Sequence, residues 1–548
     1  MKQVKQLAIA AAIATAMTLA GCTGGGGSSN RTPAPEFDKA ALVATTAPGT
    51  KEVDKVTWGM STGEPSTVDP SKAGNDSAYY AVANMCETIL LTTPEFGIAE
   101  NLATSAEWAN DTTLVIDLRD DVKFWDGTPL TTEDVIFSFQ RNADAKTGSV
   151  NASAFKRMTS VEATGPNQVT VTLSEPESEF RNALAGPAGY IVQKAFTEKA
   201  GKNIGTPSGG VMCTGPYKFK NWVAGQSITM TANPHHWKKT PLVKELELVF
   251  VDGDATLTSA LLSGEIDGAF SVPAASLDQF KSSNRGTFYT GPSSAFVAFA
   301  ASTSEGFAAD PKVRTAIDIA LDKKAAIDAA LNGLGQPIKT FVPPFMWEGS
   351  EHADIYRKGY EALPDNSGGR IEEATKLVKE AGATGAKLVL AITSGDQTAL
   401  TLATIVQATA EQIGLKMEIK QLQAAEFSAI FYKPEGRKGL DFVLTTGYSD
   451  TPSILQYPAF FITPNGLFNW TEYDNPEVAK AMDTAATSTD SKVAAEAFVK
   501  AQSLYVPDRP MIMFANEYTR TFLSNDLSGV VTSFSHITAP WAIDLGGK

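Results

Sequence analysis

Leu118-Arg119-Asp120-Asp121-Val122-Lys123-Phe124-Trp125-Asp126-Gly127-Thr128-Pro129-Leu130-Thr131-Thr132-Glu133-Asp134-Val135 reads as the end of a strand, a tight turn and the start of a helix. The strand is Thr113 to Leu118, where apolar Leu114, Ile116 and Leu118 alternate with their neighbours. Asp126-Gly127 supplies the turn. Thr131 and Asp134 stand at capping-box spacing, and Val135, Ile136 and Phe139 give the helix that follows its apolar face. Five carboxylates (Asp120, Asp121, Asp126, Glu133, Asp134) crowd this stretch and invite a catalytic reading. Turn and cap roles account for them better, because a helix start leaves N–H groups that a carboxylate satisfies.

Moving outward, Val56 to Gly59 suits a first strand and Ser77 to Leu91 a helix. Val169 to Leu173 alternates as a strand. A second compositional unit begins near Ser302. There Asp310 and Pro311 open a helix whose face is Val313, Ala316, Ile317, Ala320 and Leu321. Ile371 to Ala381 is helical, Lys387 to Thr393 a strand, Ala399 to Ile413 a helix, Leu415 to Leu422 a strand and Asp441 to Thr446 another. Strand, helix, strand in that order predicts a parallel pair covered by helices. The short apolar run Met511 to Phe514 closes the second unit, and the C-terminal end behind it, with Phe522, Leu523, Leu527 and Val530, is expected to return to the first.

The amino end carries Lys2 and Lys5, then a nearly continuous apolar run from Leu7 to Ala20. It is too short for a spanning helix and has the order of a secretory signal, residues 1–21. Leu19-Ala20-Gly21-Cys22 resembles the lipobox of bacterial lipoproteins, which implies lipid on Cys22. The Gly- and Ser-rich sequence behind it predicts a flexible tether, residues 22–50. The expected address is the outer face of the cell membrane, on the periplasmic or extracellular side. No later stretch reaches eighteen apolar residues in a row. A formal charge of −15 argues against a nucleic-acid binder. Cys86 and Cys213 either form one disulfide or sit as separate buried thiols. With four histidines and no Cys/His cluster, neither a metal nor a cofactor is expected. Gly-x-Ser-x-Gly, His-Glu-x-x-His and phosphate-loop patterns are missing, and His235-His236 reads as a surface loop, so an enzyme is not expected.

The signature Leu118–Val135 resembles that of the bacterial extracellular solute-binding proteins of family 5, which serve peptide and nickel importers. It departs at Asp121, where the family prefers Gly, and at Trp125, where His or Ser is usual. Thr214-Gly215-Pro216-Tyr217-Lys218-Phe219 followed by Trp222, Gly225, Asn233, Pro234 and Trp237 is a second match, with Cys213 in a position that is often Gly. Leu261-Leu262-Ser263-Gly264-Glu265-Ile266-Asp267 is a third, and Val313-Arg314 through Leu321-Asp322-Lys323 a fourth.

The resemblance implies an α/β periplasmic-binding-protein-like fold of type II: two lobes around a cleft, plus an extra subdomain on the first lobe. Lobe I would use residues 50–100, 200–300 and 515–548, the extra subdomain 100–200, and lobe II 302–514. It implies closure around a small solute, most commonly a short peptide, and delivery to an ABC permease with a cytoplasmic ATPase. Sugars, nickel chelates and opines are alternative solutes, and a signalling or adhesion lipoprotein is an alternative role. A monomer is expected, because the lobes must open and close freely. In peptide-binding members an Asp of the second lobe holds the ligand's α-amino group, near a Trp-x-x-Asp-Tyr-like segment. The matching Gly447-Tyr448-Ser449-Asp450-Thr451-Pro452 makes Asp450 the candidate anchor, although Tyr448 replaces the Trp and the segment is shortened. Tyr448, Tyr457, Phe460 and Phe461 are expected on the same side, with Trp58 and the loop Ser61–Glu64 facing them.

Overall fold

The computed structural model describes residues 41–548 apart from Asn366 and Asn465, with backbone alone at Ala424, Ala425 and Tyr432. The signal segment, Cys22 and the tether up to residue 40 lie outside the described residues.

Three large sheets organise the chain. The first has seven strands in the order Gly286–Gly291, Thr519–Ser524, Gly268–Phe270, Val53–Met60, Val243–Phe250, Ser227–Ala232 and Tyr217–Val223. Val53–Met60 is central and runs parallel to both neighbours, with Val56, Trp58 and Met60 fully buried. A strand enclosed in this way needs apolar side chains where it meets the core.

The second sheet belongs to the extra subdomain. It is an antiparallel set in the order Ala103–Asn110, Thr113–Leu118, Gln168–Leu173 and Met158–Gly165. Its central strands bury every second residue: Leu114, Ile116 and Leu118 on one, Val169, Val171 and Leu173 on the other. Helix Thr132–Ala143 covers that face through Val135 and Phe139, and Phe139 meets Phe155 and Phe180 edge-on or tilted. This is the arrangement that period-two alternation beside a period-3.6 helix demands.

The third sheet builds the second lobe in the order Gly335–Pro337, Met511–Glu517, Phe296–Ala301, Phe442–Gly447, Lys387–Thr393 and Lys416–Leu422. Lys387–Thr393 and Lys416–Leu422 are parallel and joined through helix Gln397–Gln412. Asp310 accepts the Lys312 N–H at 2.8 Å and caps helix Pro311–Ala320.

Several expectations are corrected. Met511–Glu517 belongs to the second lobe past the expected boundary at 514, and Thr519–Ser524 crosses back to the first. The boundary at 300/302 is also too late, because Phe296–Ala301, all six residues buried, pairs with Phe442–Gly447 and Met511–Glu517. Both differences arise because a uniformly apolar run fits the centre of either sheet; only pairing partners decide which. The helix expected over 77–91 is Asp76–Met85, ending where Cys86 is bonded to Cys213. Residues 43–50, assigned to the tether, dock along the C-terminal segment through backbone bonds such as Thr46 N–H to Val530 O at 3.0 Å.

The two crossings between the lobes, Gly291 to Phe296 and Glu517 to Thr519, lie side by side. Buried Asn516 ties them by donating to the carbonyls of Ser293 (2.9 Å) and Ala295 (2.7 Å). A paired crossing of this kind is where a hinge would absorb backbone rotation.

Candidate functional site: the cleft at Asp450

Strand Phe442–Gly447 ends at the cleft, and the loop after it leads into helix Gln456–Ile462. The loop is fixed locally. Ser453 Oγ accepts the N–H groups of Leu455 (3.2 Å) and Gln456 (3.0 Å), and Ser294 Oγ donates to Ser449 O at 2.8 Å. Gly447 is required by close approach, since a Cβ there would collide with the Tyr457 hydroxyl. Opposite lies lobe I helix Asp76–Met85, whose first turn is capped by Asn75 Oδ1 accepting from Ala78 N–H at 3.0 Å. The extra subdomain supplies the third wall through residues near Asn151 and Ala183–Ala188. Gly186 lies directly against Thr451, with no room for a side chain.

Together these walls enclose a cavity of about 390 Å³. Tyr448, Asp450, Tyr457 and Phe460 all line it, beside Tyr79 and Gln456. Tyr457 is stacked edge-on against Phe296 and packs with Phe460, so the apolar wall is pre-formed. Tyr79 Oη donates to Asp450 Oδ2 at 3.3 Å, across the cleft. Tyr448, from lobe II, makes the reciprocal bond to Asp76 of lobe I.

Burial raises the Asp450 carboxyl above its ordinary range, and hydrogen bonds from Gln456 and Tyr79 offset only part of that. Burial likewise raises Asp76, with Tyr448 partly opposing. Among the described residues lining the cavity there is no Lys, Arg or His. Two carboxylates therefore meet tyrosines across the cleft with no cation between them. Neutral donors stabilise a buried carboxylate only partly; a cation does so far more strongly.

Trp58 is placed differently from its expected role. It lies in the lobe I core, fully buried between Phe270 (4.7 Å between ring centroids) and Trp541 (4.6 Å), and does not line this cavity. Its position on the central strand points it into the sheet's packed face. Phe461 is also core, stacked on Phe341. The loop after the first strand is structural: Glu64 accepts from Trp222 Nε1 at 2.8 Å and from Gly225 N–H at 3.0 Å. Cys86 and Cys213 are bonded, with Cα atoms 4.9 Å apart. His236 is not a surface residue. Its ring is buried, and Nε2 lies 3.2 Å from Glu87 Oε1. Burial would raise Glu87, but His236, Thr214 and Trp237 more than offset it and hold the carboxyl low.

Asp76, Tyr79 and Gln456 were not legible as site residues. Asp76 and Tyr79 stand three apart on one helix face, yet spacing alone cannot say that this face meets another lobe.

Two lobes joined by paired crossings around a cleft, walled by aromatic groups and half-buried carboxylates, define a bacterial-type solute-binding protein. The family model for bacterial extracellular solute-binding proteins, family 5 Middle, matches residues 97–469, and the chain belongs to that family. Its members are non-catalytic binding components of ABC importers, so this chain is such a component and not an enzyme. It is 27% identical to Protein XP55 of Streptomyces lividans over 482 residues, covering 84% of this chain and 83% of the relative. It is 26% identical to the glutathione-binding protein GsiB of Escherichia coli (strain K12) over 473 residues, covering 84% and 89%. Among solved structures it resembles AgaA from A. tumefacien R10 in complex with agropinic acid (22% identity, TM-score 0.76, 90% and 99% covered). It also resembles the Bacillus subtilis oligopeptide-binding protein AppA in complex with a nonapeptide (18% identity, TM-score 0.76, 92% and 100% covered). The family places the protein outside the cytoplasm, and no helix of the described residues is long and apolar enough to cross a membrane.

Proposed function

We propose that this chain captures short peptides by their free amino end and presents them to its ABC permease. The observation that carries the reading is the Asp450 carboxylate, half-buried at the wall of an interlobe cavity whose lining offers it only neutral donors. A peptide's α-ammonium supplies the missing charge. Asp450 also reaches Tyr79 of the other lobe, and Asp76 on that lobe faces Tyr448. An ammonium seated among these groups favours the closed arrangement over the open one, which is what a ligand must do to shift a hinge. The aromatic wall of Tyr448, Tyr457 and Phe460 suits the first side chain, and the cavity is within the roughly 300–1,000 Å³ of small-molecule sites. The names of relatives that bind glutathione or a nonapeptide agree with a peptide solute. Lipid on Cys22, after removal of residues 1–21, would hold a monomeric protein at the outer face of the membrane beside the permease and its ATPase.

The test is native mass spectrometry and calorimetry of the mature soluble chain with peptides of two to eight residues, each with a free or acetylated amino end. Free peptides are expected to bind, and acetylation or Asp450→Asn to weaken binding by about 100-fold. Equal binding of free and acetylated peptides would remove the ammonium anchor. Binding of an opine, sugar or nickel complex in place of every peptide would remove the peptide assignment.

A further inference from the structure

Beyond the Asp450 cavity, the seam between the extra subdomain and lobe II continues. A second cavity of about 460 Å³ shares Thr451, Gln456 and Phe460 with the first. A third, of about 400 Å³, shares Glu179 and Leu455 with the second. Six side chains give this third cavity its character. Phe96, Trp347 and Tyr356 are buried, and Trp108 is half-buried. Glu179 lies where the second and third cavities meet, and exposed Glu95 stands at the rim. No Lys, Arg or His is among the described residues lining it.

Glu179 is the informative residue. Its Oε1 accepts from Asn182 Nδ2 at 3.2 Å, while its Oε2 is buried with no hydrogen-bond partner. A buried carboxylate oxygen without a partner costs free energy, and such a group in a folded protein calls for a missing partner. Burial, partly offset by Ser453 and aggravated by Glu177, lifts its carboxyl to about 7, as expected where no counter-charge is present. Glu179 and Tyr356 line the same cavity, which puts the acid and the aromatic wall in one space. Trp347 and Tyr356, with ring centroids 6.2 Å apart, both line the cavity, within the reach at which an aromatic ring attracts a cation. Phe96 is held there with φ of 62°, a left-handed backbone costly for an aromatic residue, which its turn hydrogen bond to Thr93 O maintains.

We propose that this third cavity is a second binding site, separate from the cleft at Asp450, for a small organic cation with an apolar body, such as an arylalkyl ammonium. Glu179 takes the charge, and Trp108, Trp347 and Tyr356 enclose the body.

The probes are phenethylamine, benzyltrimethylammonium and the neutral analogue 2-phenylethanol, read by calorimetry and tryptophan fluorescence on the mature chain. Both cations are expected to bind and perturb the emission, with 2-phenylethanol at least about tenfold weaker. Glu179→Gln should weaken the cations by about tenfold or more, and Trp108→Leu, on a half-buried wall, by about threefold or more. Asp450→Ala should leave their affinity within about twofold, so that failure of the peptide reading and failure of this one are separable. Thermal unfolding monitors the fold of each variant. The proposal is overturned if neither cation binds, if a folded Glu179→Gln and Trp108→Leu both bind like wild type, or if Asp450→Ala abolishes binding.

Discussion

The extra subdomain meets its two neighbours in opposite ways. Toward lobe I, nearly every polar group at the junction is matched. Arg141 of the subdomain donates to Asp69 Oδ1 (2.8 Å) and Oδ2 (2.6 Å) and to Ser71 Oγ (2.8 Å) of lobe I. Trp125 Nε1 donates to Gly215 O at 3.1 Å. The Cys86–Cys213 disulfide lies on the lobe I side of this junction, where Cys213 O accepts from Trp125 N–H at 3.2 Å. Toward lobe II, the contact is broken by three cavities and spanned by a few side-chain bonds, such as Ser178 Oγ to Ala485 O (3.2 Å) and Thr489 Oγ1 to Asp111 Oδ1 (2.9 Å). Acidic residues are plentiful on both sides. Asp69, buried and ion-paired, marks the first junction, and Asp450 and Glu179, without an ion pair among the described residues, mark the second.

That contrast can be broken by perturbing each side and reading stability and affinity separately. The largest stability effect is expected from Cys86→Ser with Cys213→Ser. Their sequence separation is 127 residues, and releasing a loop of that size costs on the order of 4–5 kcal/mol in the chain-entropy account. Denaturant unfolding would show it, while affinity for ligand should change little. A large affinity loss at intact stability would mean that the lobe I junction is not the rigid one. Asp69→Ala leaves the Arg141 guanidinium without its carboxylate partner across the junction and should cost about 3–5 kcal/mol by the same measurement, again with affinity preserved.

On the other side of the subdomain, Tyr79→Phe removes one bond across the cleft and should change ligand affinity by about 0.5–1.5 kcal/mol, with smaller change in global stability. Affinity for an ammonium ligand should also fall as pH drops through the raised Asp450 value, because protonation removes the charge that holds it. A flat titration from pH 7 to pH 4 would argue against that carboxylate. The smallest effect concerns Glu179. Its folded-state value of about 7 exceeds the ordinary 4.5, so the folded chain holds more protons in that interval, and stability from this group declines as pH rises through it. Glu179→Gln should flatten that slope in thermal unfolding. An unchanged slope would mean that the acid finds a partner in solution.

Much of this was legible along the chain. The strand-turn-helix of Leu118–Val135, the capped helix at Pro311 and the parallel pair around Gln397–Gln412 follow from period, turn chemistry and caps, all of which act within a few residues. The loop at Asp450 was reachable because a motif brackets it, and Tyr448, Tyr457 and Phe460 fall within ten residues of it. Trp58 was misplaced for the opposite reason. A tryptophan at a strand end reads the same whether it faces a cleft or, as here, Phe270 and Trp541, which come from residues more than two hundred positions away.

What the sequence determined by itself was local: where strands and helices start and stop, and that the whole resembles a two-lobed binder. Which sheet claims Phe296–Ala301, why Asp450 meets Tyr79, and why Glu179 has no ion-pair partner among the described residues were decided only in the tertiary structure. Those outcomes depend on groups far apart in the chain sharing one desolvated space. Burial and electrostatic environment belong to that space, and no short stretch of sequence carries them.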